Sequence, residues 1–259
     1  MRVSVEAVGV LAPGLRDWEV ARAVLAKEHT YVAAALDAPH PTCLEPAERR
    51  RSCPTVRLAI AVAEQALRQT SLAPQDMAMV FSSYEASGAI THQLCEVLAG
   101  SREVSPTHFH NSVHNAPSGY YSIAMNAKCA ATSICRGEWS FAAGLLNATA
   151  QVVADNIPVL YVCYDCPLPP PICEVMPVIE STAIALVLTP EAGAATLTTW
   201  NVSIVPQTGL VARQEWMPPS WQANASARGF AALDLLANPL QRAAKMPLSP
   251  ELSLEVTRC

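Results

Sequence analysis

Residues 140–164 read SFAAGLLNATAQVVADNIPVLYVCY. The first part, 140–154, is a run of small and apolar residues long enough for a helix. The second, 158–164, opens on Pro158 and continues as VLYVCY without a charge, the signature of a strand covered on both faces. The proline run 167–171 (PLPPP) predicts a rigid, polyproline-like loop. Residues 182–188 (TAIALVL) predict the next strand.

The same alternation extends towards the N-terminus. Residues 3–11 alternate into a first strand that Pro13-Gly14 closes. Asp17 is placed to cap a helix over 17–25. Residues 40–51 are proline-rich and then charged, a surface loop. An amphipathic helix spans 56–69, a short buried strand 78–82 and a helix 90–98. Pro106 suits the first turn of a helix running to about 125, and 130–135 predicts a short strand. Beyond Pro190 the pattern weakens. It still predicts a strand at 196–205, a loop at 217–224, a helix at 225–244 broken at Asn238-Pro239, and a strand at 252–256. Strands alternating with helices at this spacing indicate a layered α/β fold. No internal repeat or long linker divides the chain.

Composition narrows the function. Of 259 residues 51% are hydrophobic and only 15% charged, against about 25% in a typical soluble protein. That excludes intrinsic disorder and suits a chain that buries much of itself or shows an apolar face to a partner. With 17 basic and 22 acidic residues the net charge is -5, so no positive field attracts nucleic acid or an anionic membrane. Glu6 interrupts any apolar leader, and the longest apolar runs fall short of the ~20 residues a membrane span needs. The expectation is a cytoplasmic protein without membrane insertion. Nine scattered cysteines argue against a disulfide framework. The sequons at Asn147, Asn201 and Asn224 carry no meaning without secretion.

Three clusters could carry chemistry. His108, His110 and His114 lie close in sequence, the last two at i,i+4 on the expected helix, a possible zinc pair with a third ligand. No glutamate follows His110 in the protease manner. The plainer reading is hydrogen-bonded histidines at a surface or interface. Cys163 and Cys166, with Cys173 beyond, have the C-x-x-C form, but no helix opens there to lower a thiol pKa. Cys135-Arg-Gly-Glu138 lies between a strand and a helix, where α/β enzymes place nucleophiles at free N–H groups. Glu138 is a poor nucleophile for acyl transfer, and no histidine partner for Cys135 can be assigned.

Residues 105–123, SPTHFHNSVHNAPSGYYSI, resemble the β-ketoacyl synthase family, in particular the short β-ketoacyl synthase-like N-terminal domain proteins found in bacterial aryl polyene and xanthomonadin-type pigment clusters. Other stretches fit in order. These are Val8-Gly9-Val10 with Pro13-Gly14, Glu48 to Arg51 followed by 56–67, Val80 to Ser83, the helix from Ser140 to Leu146, Tyr164-Asp165 with the prolines that follow, and 183–188. The resemblance covers residues 1 to about 190. It implies a layered α-β-α thiolase-like fold, one half of a ketosynthase; residues 191–259 lie outside it and are expected as a C-terminal extension packed on the same domain.

An active synthase of this family has a nucleophilic cysteine at the turn after the strand, completed by two histidines from a C-terminal half. Laying residues 130–141 on that turn sets Glu138 in the cysteine's place, and the histidine-bearing half has no counterpart here. The resemblance therefore implies a catalytically silent subunit, without cofactor or metal. It would pair as a heterodimer with a full-length β-ketoacyl-acyl carrier protein synthase, and through it meet acyl carrier protein. Residues 130–135 would form the pairing edge, and the 106–125 helix would lie at the base of the partner's acyl tunnel, in the manner of a chain-length factor. His110, Asn111, His114, Asn115, Tyr120, Tyr121, Ala124, Thr132 and Glu138 are the candidate interface or tunnel residues. For Tyr120, Tyr121 and Ala124, ordinary core packing is an equal alternative. Tunnel depth would set product length, since each buried methylene contributes roughly 0.8 kcal/mol. Two other readings stay open: an acyl-thioester decarboxylase or hydrolase using Glu138 with His110 or His114, and a structural homodimer.

Overall fold

A computed structural model describes residues 1–208 and 214–259. In chain order it contains β1 (Arg2–Leu11), α1 (Trp18–Leu25), α2 (Pro46–Arg51), α3 (Pro54–Leu67), β2 (Ala78–Ser83), α4 (Gly88–Ala99), α5 (Pro106–Asn111), α6 (Ala116–Ala124), β3 (Ala131–Cys135) and α7 (Ser140–Asp155). It continues with β4 (Val159–Asp165), α8 (Ile172–Val175), β5 (Thr182–Thr189), β6 (Thr198–Pro206), α9 (Phe230–Ala237), β7 (Ala243–Pro247) and β8 (Leu252–Arg258). The strands form one eight-stranded sheet in the order β3-β2-β4-β5-β1-β6-β8-β7. β2 runs parallel to both neighbours, and all other pairs are antiparallel.

Helices cover both faces, so the fold is a three-layer α-β-α sandwich with two cores. On one face α1, α7 and α9 pack on Val159, Tyr161, Ile184 and Leu186. On the other, α3 and α6 pack on Leu160, Val162, Ala185 and Val187. Alternate residues of β4 and β5 thus serve opposite cores, which is why these strands read as unbroken apolar runs. β1 needs one adjustment. A register irregularity between Val5 and Ala7 admits Glu6 as an extra residue. It lets Val3 and Val5, then Val8 and Val10, enter the same core. Close layer contact also constrains Gly144 on α7, where a Cβ would lie 2.5 Å from the Tyr161 ring.

Several local expectations need correction. The helix expected over 106–125 is two helices, so His110 and His114 do not share a helix face. Pro117 lacks an N–H and cannot continue a helix, but it suits the opening turn of α6. The loop expected at 40–51 ends in α2, which also opens on a proline. The helix expected over 225–244 is a 3-10 turn (Ser226–Gly229), then α9, then β7, because Asn238-Pro239 stops the helix. Asp17 does cap α1: its carboxylate accepts the Val20 N–H at 2.8 Å. Residues 198–258 extend the same sheet through β6, β8 and β7.

Candidate functional site

Two neighbouring places carry the residues of interest: the turn from β3 into α7, and the α5–α6 surface beside it. At the turn, Gly137 takes a positive φ of 58° and opens a single 3-10 turn, Gly137–Trp139. Ser140 closes it: its hydroxyl accepts the Arg136 N–H at 2.7 Å and donates to the Gly137 carbonyl at 2.8 Å. Arg136 lies over the Trp139 ring, 5.9 Å from its centroid.

Glu138, which the resemblance sets in the nucleophile's position, points at Arg228 and forms an ion pair with it. No hydrogen bond or ion pair joins Glu138 to His110 or His114 among the described residues. Arg228 sits on the 3-10 turn Ser226–Gly229, and that turn is anchored from below. The Ser226 N–H and hydroxyl donate to Asp165 Oδ2 at 2.7 and 2.6 Å, while the Tyr84 N–H donates to Oδ1 at 2.7 Å. Burial raises the Asp165 pKa, opposed by the donors on Ser226 and by the Tyr84 N–H. Asn224 adds bonds to the Glu180 carbonyl and the Thr182 hydroxyl, both at 2.8 Å. Sequence reading missed Arg228. Its partner lies ninety positions away, and only a residue-contact signal could have joined them.

On the α5–α6 surface a cavity of about 620 Å³ is lined by His110, Asn115, Tyr120 and Ala124, with Val113 and Ile123 beside them. The His110 ring meets Tyr120 edge-on, with centroids 5.5 Å apart. Ile123 is 84% exposed and Phe109, on α5, is 64% exposed, a large apolar display for a folded chain. The other candidates lie elsewhere. Tyr121 is buried against Phe81, and burial pushes its hydroxyl pKa up. Asn111 is a buried brace: it accepts the Cys53 N–H at 3.2 Å and donates to the Arg51 and Thr107 carbonyls at 2.9 and 2.8 Å. Thr132 faces α7, where the Gln151 amide donates to its hydroxyl at 3.0 Å. His114 Nε2 lies 3.0 Å from Cys135 Sγ.

The remaining clusters separate. Among the described residues no group of three or more His, Cys, Asp or Glu could hold a metal ion. Cys163 is buried inside β4, and burial pushes the Cys166 thiol beyond it up to about 12. No helix among the described residues is long and apolar enough to cross a membrane.

A three-layer α/β sandwich whose edge strand turns sharply into a core helix defines the class. Within it, residues 23–248 match the profile of the β-ketoacyl synthase N-terminal domain, and the chain belongs to that family. The match runs past residue 190 and into β7, further than the sequence motifs reach. The chain is similar to a ketosynthase (ApeO) in complex with its chain length factor (ApeC) from Xenorhabdus doucetiae, with a TM-score of 0.74, 22% identity and 100% of both chains covered. It is also similar to the ishigamide ketosynthase/chain length factor, with a TM-score of 0.71, 12% identity and 100% and 99% covered. A third similar structure is a type II polyketide acyl-carrier protein in complex with its hexaketide-bound ketosynthase (AntDE:AntF). That match has a TM-score of 0.63 and 15% identity, covering 79% of this chain and 68% of that one. At these identities the likeness shows a shared thiolase-like fold. No curated protein matches the sequence.

Proposed function

We propose that this chain is a catalytically silent ketosynthase-like subunit. It pairs along β3 with a full-length β-ketoacyl-acyl carrier protein synthase and helps shape that enzyme's acyl tunnel, in the manner of a chain-length factor. The product is a polyene or fatty-acid-like chain of the aryl polyene or xanthomonadin type, built in the cytoplasm.

The observation that carries this reading is at the turn into α7. Glu138, which the resemblance sets in the nucleophile's position, is a carboxylate paired with the Arg228 guanidinium. A carboxylate held this way has neither the sulfur that thioester exchange requires nor a histidine to move its proton. Two further features agree. β3 is the sheet edge, with no strand on its outer side among the described residues. The apolar display of Phe109, Val113 and Ile123 lies on α5, the turn after it and α6, which lead into that strand. The cavity at His110 and Tyr120 then offers a place where an acyl chain end would be bounded.

Co-expression with a full-length β-ketoacyl-acyl carrier protein synthase from the same source, followed by affinity purification and native mass spectrometry, tests the proposal. A stable one-to-one heterodimer is expected. A homodimer that ignores every synthase, or malonyl decarboxylation or thioester hydrolysis by the isolated chain that Glu138→Gln abolishes, would overturn it.

A further inference from the structure

Cys135 ends β3 on the strand face it shares with Ser133, the face turned to α6, where Ser133 meets the Ser118 hydroxyl. Its register neighbour on β2 is Ser83. Three groups meet at its sulfur: the Ser83 hydroxyl at 3.4 Å, His114 Nε2 at 3.0 Å and the backbone of Ala86. The contacts with Ser83 and the Ala86 backbone favour the anionic sulfur. Burial outweighs them and pushes the thiol pKa up, with the Glu85 and Asp165 carboxylates adding to that push. The resting group is therefore a neutral thiol. With the ring proton on Nδ1, His114 Nε2 is an acceptor within reach of the thiol proton at 3.0 Å. The residue is nonetheless exposed, as are Cys95 and Cys259.

We propose that Cys135 and His114 form a base-assisted thiol site that takes peroxides and small soft electrophiles, and that filling this site blocks pairing along β3. The blocking consequence rests on the pairing reading above; the thiol chemistry does not. With a peroxide, His114 takes the thiol proton as sulfur attacks the nearer peroxide oxygen. The S–O bond forms and the O–O bond breaks. The leaving oxygen recovers the proton from His114 and departs as water, or as an alcohol from an alkyl peroxide. Sulfur is oxidised by two electrons to a sulfenic acid, and the peroxide is reduced by two. The added oxygen enlarges the side chain on the α6 face at the end of the edge strand, where a partner pairing along β3 would pack.

The test labels the full chain with iodoacetamide at pH 7.5 and maps all nine cysteines, with Cys95 and Cys259 as internal references. Cys135 is expected to react at least about tenfold faster than either, and His114→Gln to remove that advantage while leaving the references unchanged. In the wild type the rate should hold up below the thiol's own, raised range, because His114 takes the proton. In His114→Gln the rate should follow the thiol's own, higher range. A Cys135 rate no greater than that of Cys95 and Cys259, or one indifferent to His114→Gln, overturns the site. For the consequence, hydrogen peroxide treatment should abolish pairing with the synthase in the wild type and spare it in Cys135→Ser. Treated wild type that pairs normally overturns the blocking. A chain that pairs with no synthase, treated or untreated, overturns the pairing reading and the blocking together, and the labelling result still decides the thiol site.

Discussion

β3 and β4 flank the same strand, both parallel to β2, yet they serve different ends. All seven residues of β4 are buried, whereas none of the five in β3 is fully buried. Ladder geometry does not separate them. β4 has a second neighbour in β5 and a core on each face. β3 has β2 on one side and, among the described residues, no strand on the other. The same parallel pairing with β2 thus yields a strand that holds the fold together and a strand that can be offered to another chain. The difference is set by what covers the faces and the far edge.

The comparison breaks first at the end of β4. Asp165→Ala removes the acceptor of three donors, the N–H groups of Tyr84 and Ser226 and the Ser226 hydroxyl. Each buried donor left unpaired costs roughly 1–3 kcal/mol. The Ser226 hydroxyl keeps the Thr182 carbonyl at 2.9 Å, so two N–H groups are orphaned. Urea unfolding should therefore show a loss of about 2 kcal/mol or more, and a loss below about 1 kcal/mol would mean this carboxylate does not anchor the C-terminal turn.

The same residue gives a pH signature. Its raised pKa means the folded state holds that proton more tightly than the unfolded chain does. From the ordinary value of 3.8 up to its higher folded value, its contribution to stability falls as pH rises, and above that value it is constant. The wild-type unfolding free energy minus that of Asp165→Asn should decline across that window. A flat difference would contradict the shift.

Next in size, Gly144→Val drives new carbon into Tyr161 and Ser82. Overpacking of this kind costs about 1–3 kcal/mol, readable as a lower Tm. On β3 the expectation reverses. Ala131→Lys, at an exposed edge position, should leave stability within about 0.5 kcal/mol. It should weaken pairing with the synthase about tenfold, the effect of placing a desolvated charge at an interface, as titration calorimetry would measure. Equal effects on stability and pairing would erase the distinction between the two strands. The smallest effect is expected from Glu138→Gln. The Glu138 side chain is 48% exposed in its ion pair with Arg228, so solvent screens the pair and chemical denaturation should report a loss below about 1 kcal/mol.

Much of this was legible in the residues. The apolar runs of β4 and β5 identify themselves because both faces are covered and no polar alternation interrupts them. Asp17 announced the start of α1 because a capping carboxylate is a local device. The split between α5 and α6 was written in Pro117 and was overridden by the longer apolar pattern around it. β7 was hidden inside an expected helix because five residues of alternating burial leave a weak trace. At the candidate site, the turn after β3 and the place of Glu138 were readable. Arg228 was not, because nothing local points from a C-terminal turn to a carboxylate ninety positions earlier. Cys135 and His114 were each singled out, but their contact depends on the α5–α6 break that the periodicity concealed.

The chain alone determined the layered α/β architecture, the low charge and the carboxylate at the turn, because these follow from nearest-neighbour chemistry and from patterns two to four residues long. Tertiary structure alone decided which strand became the edge, which tyrosine met the cavity and which was sealed into a core, and which cation answered Glu138. Those outcomes are set by the order of strands in the sheet and by the close approach of segments far apart along the backbone, and no short-range pattern encodes either.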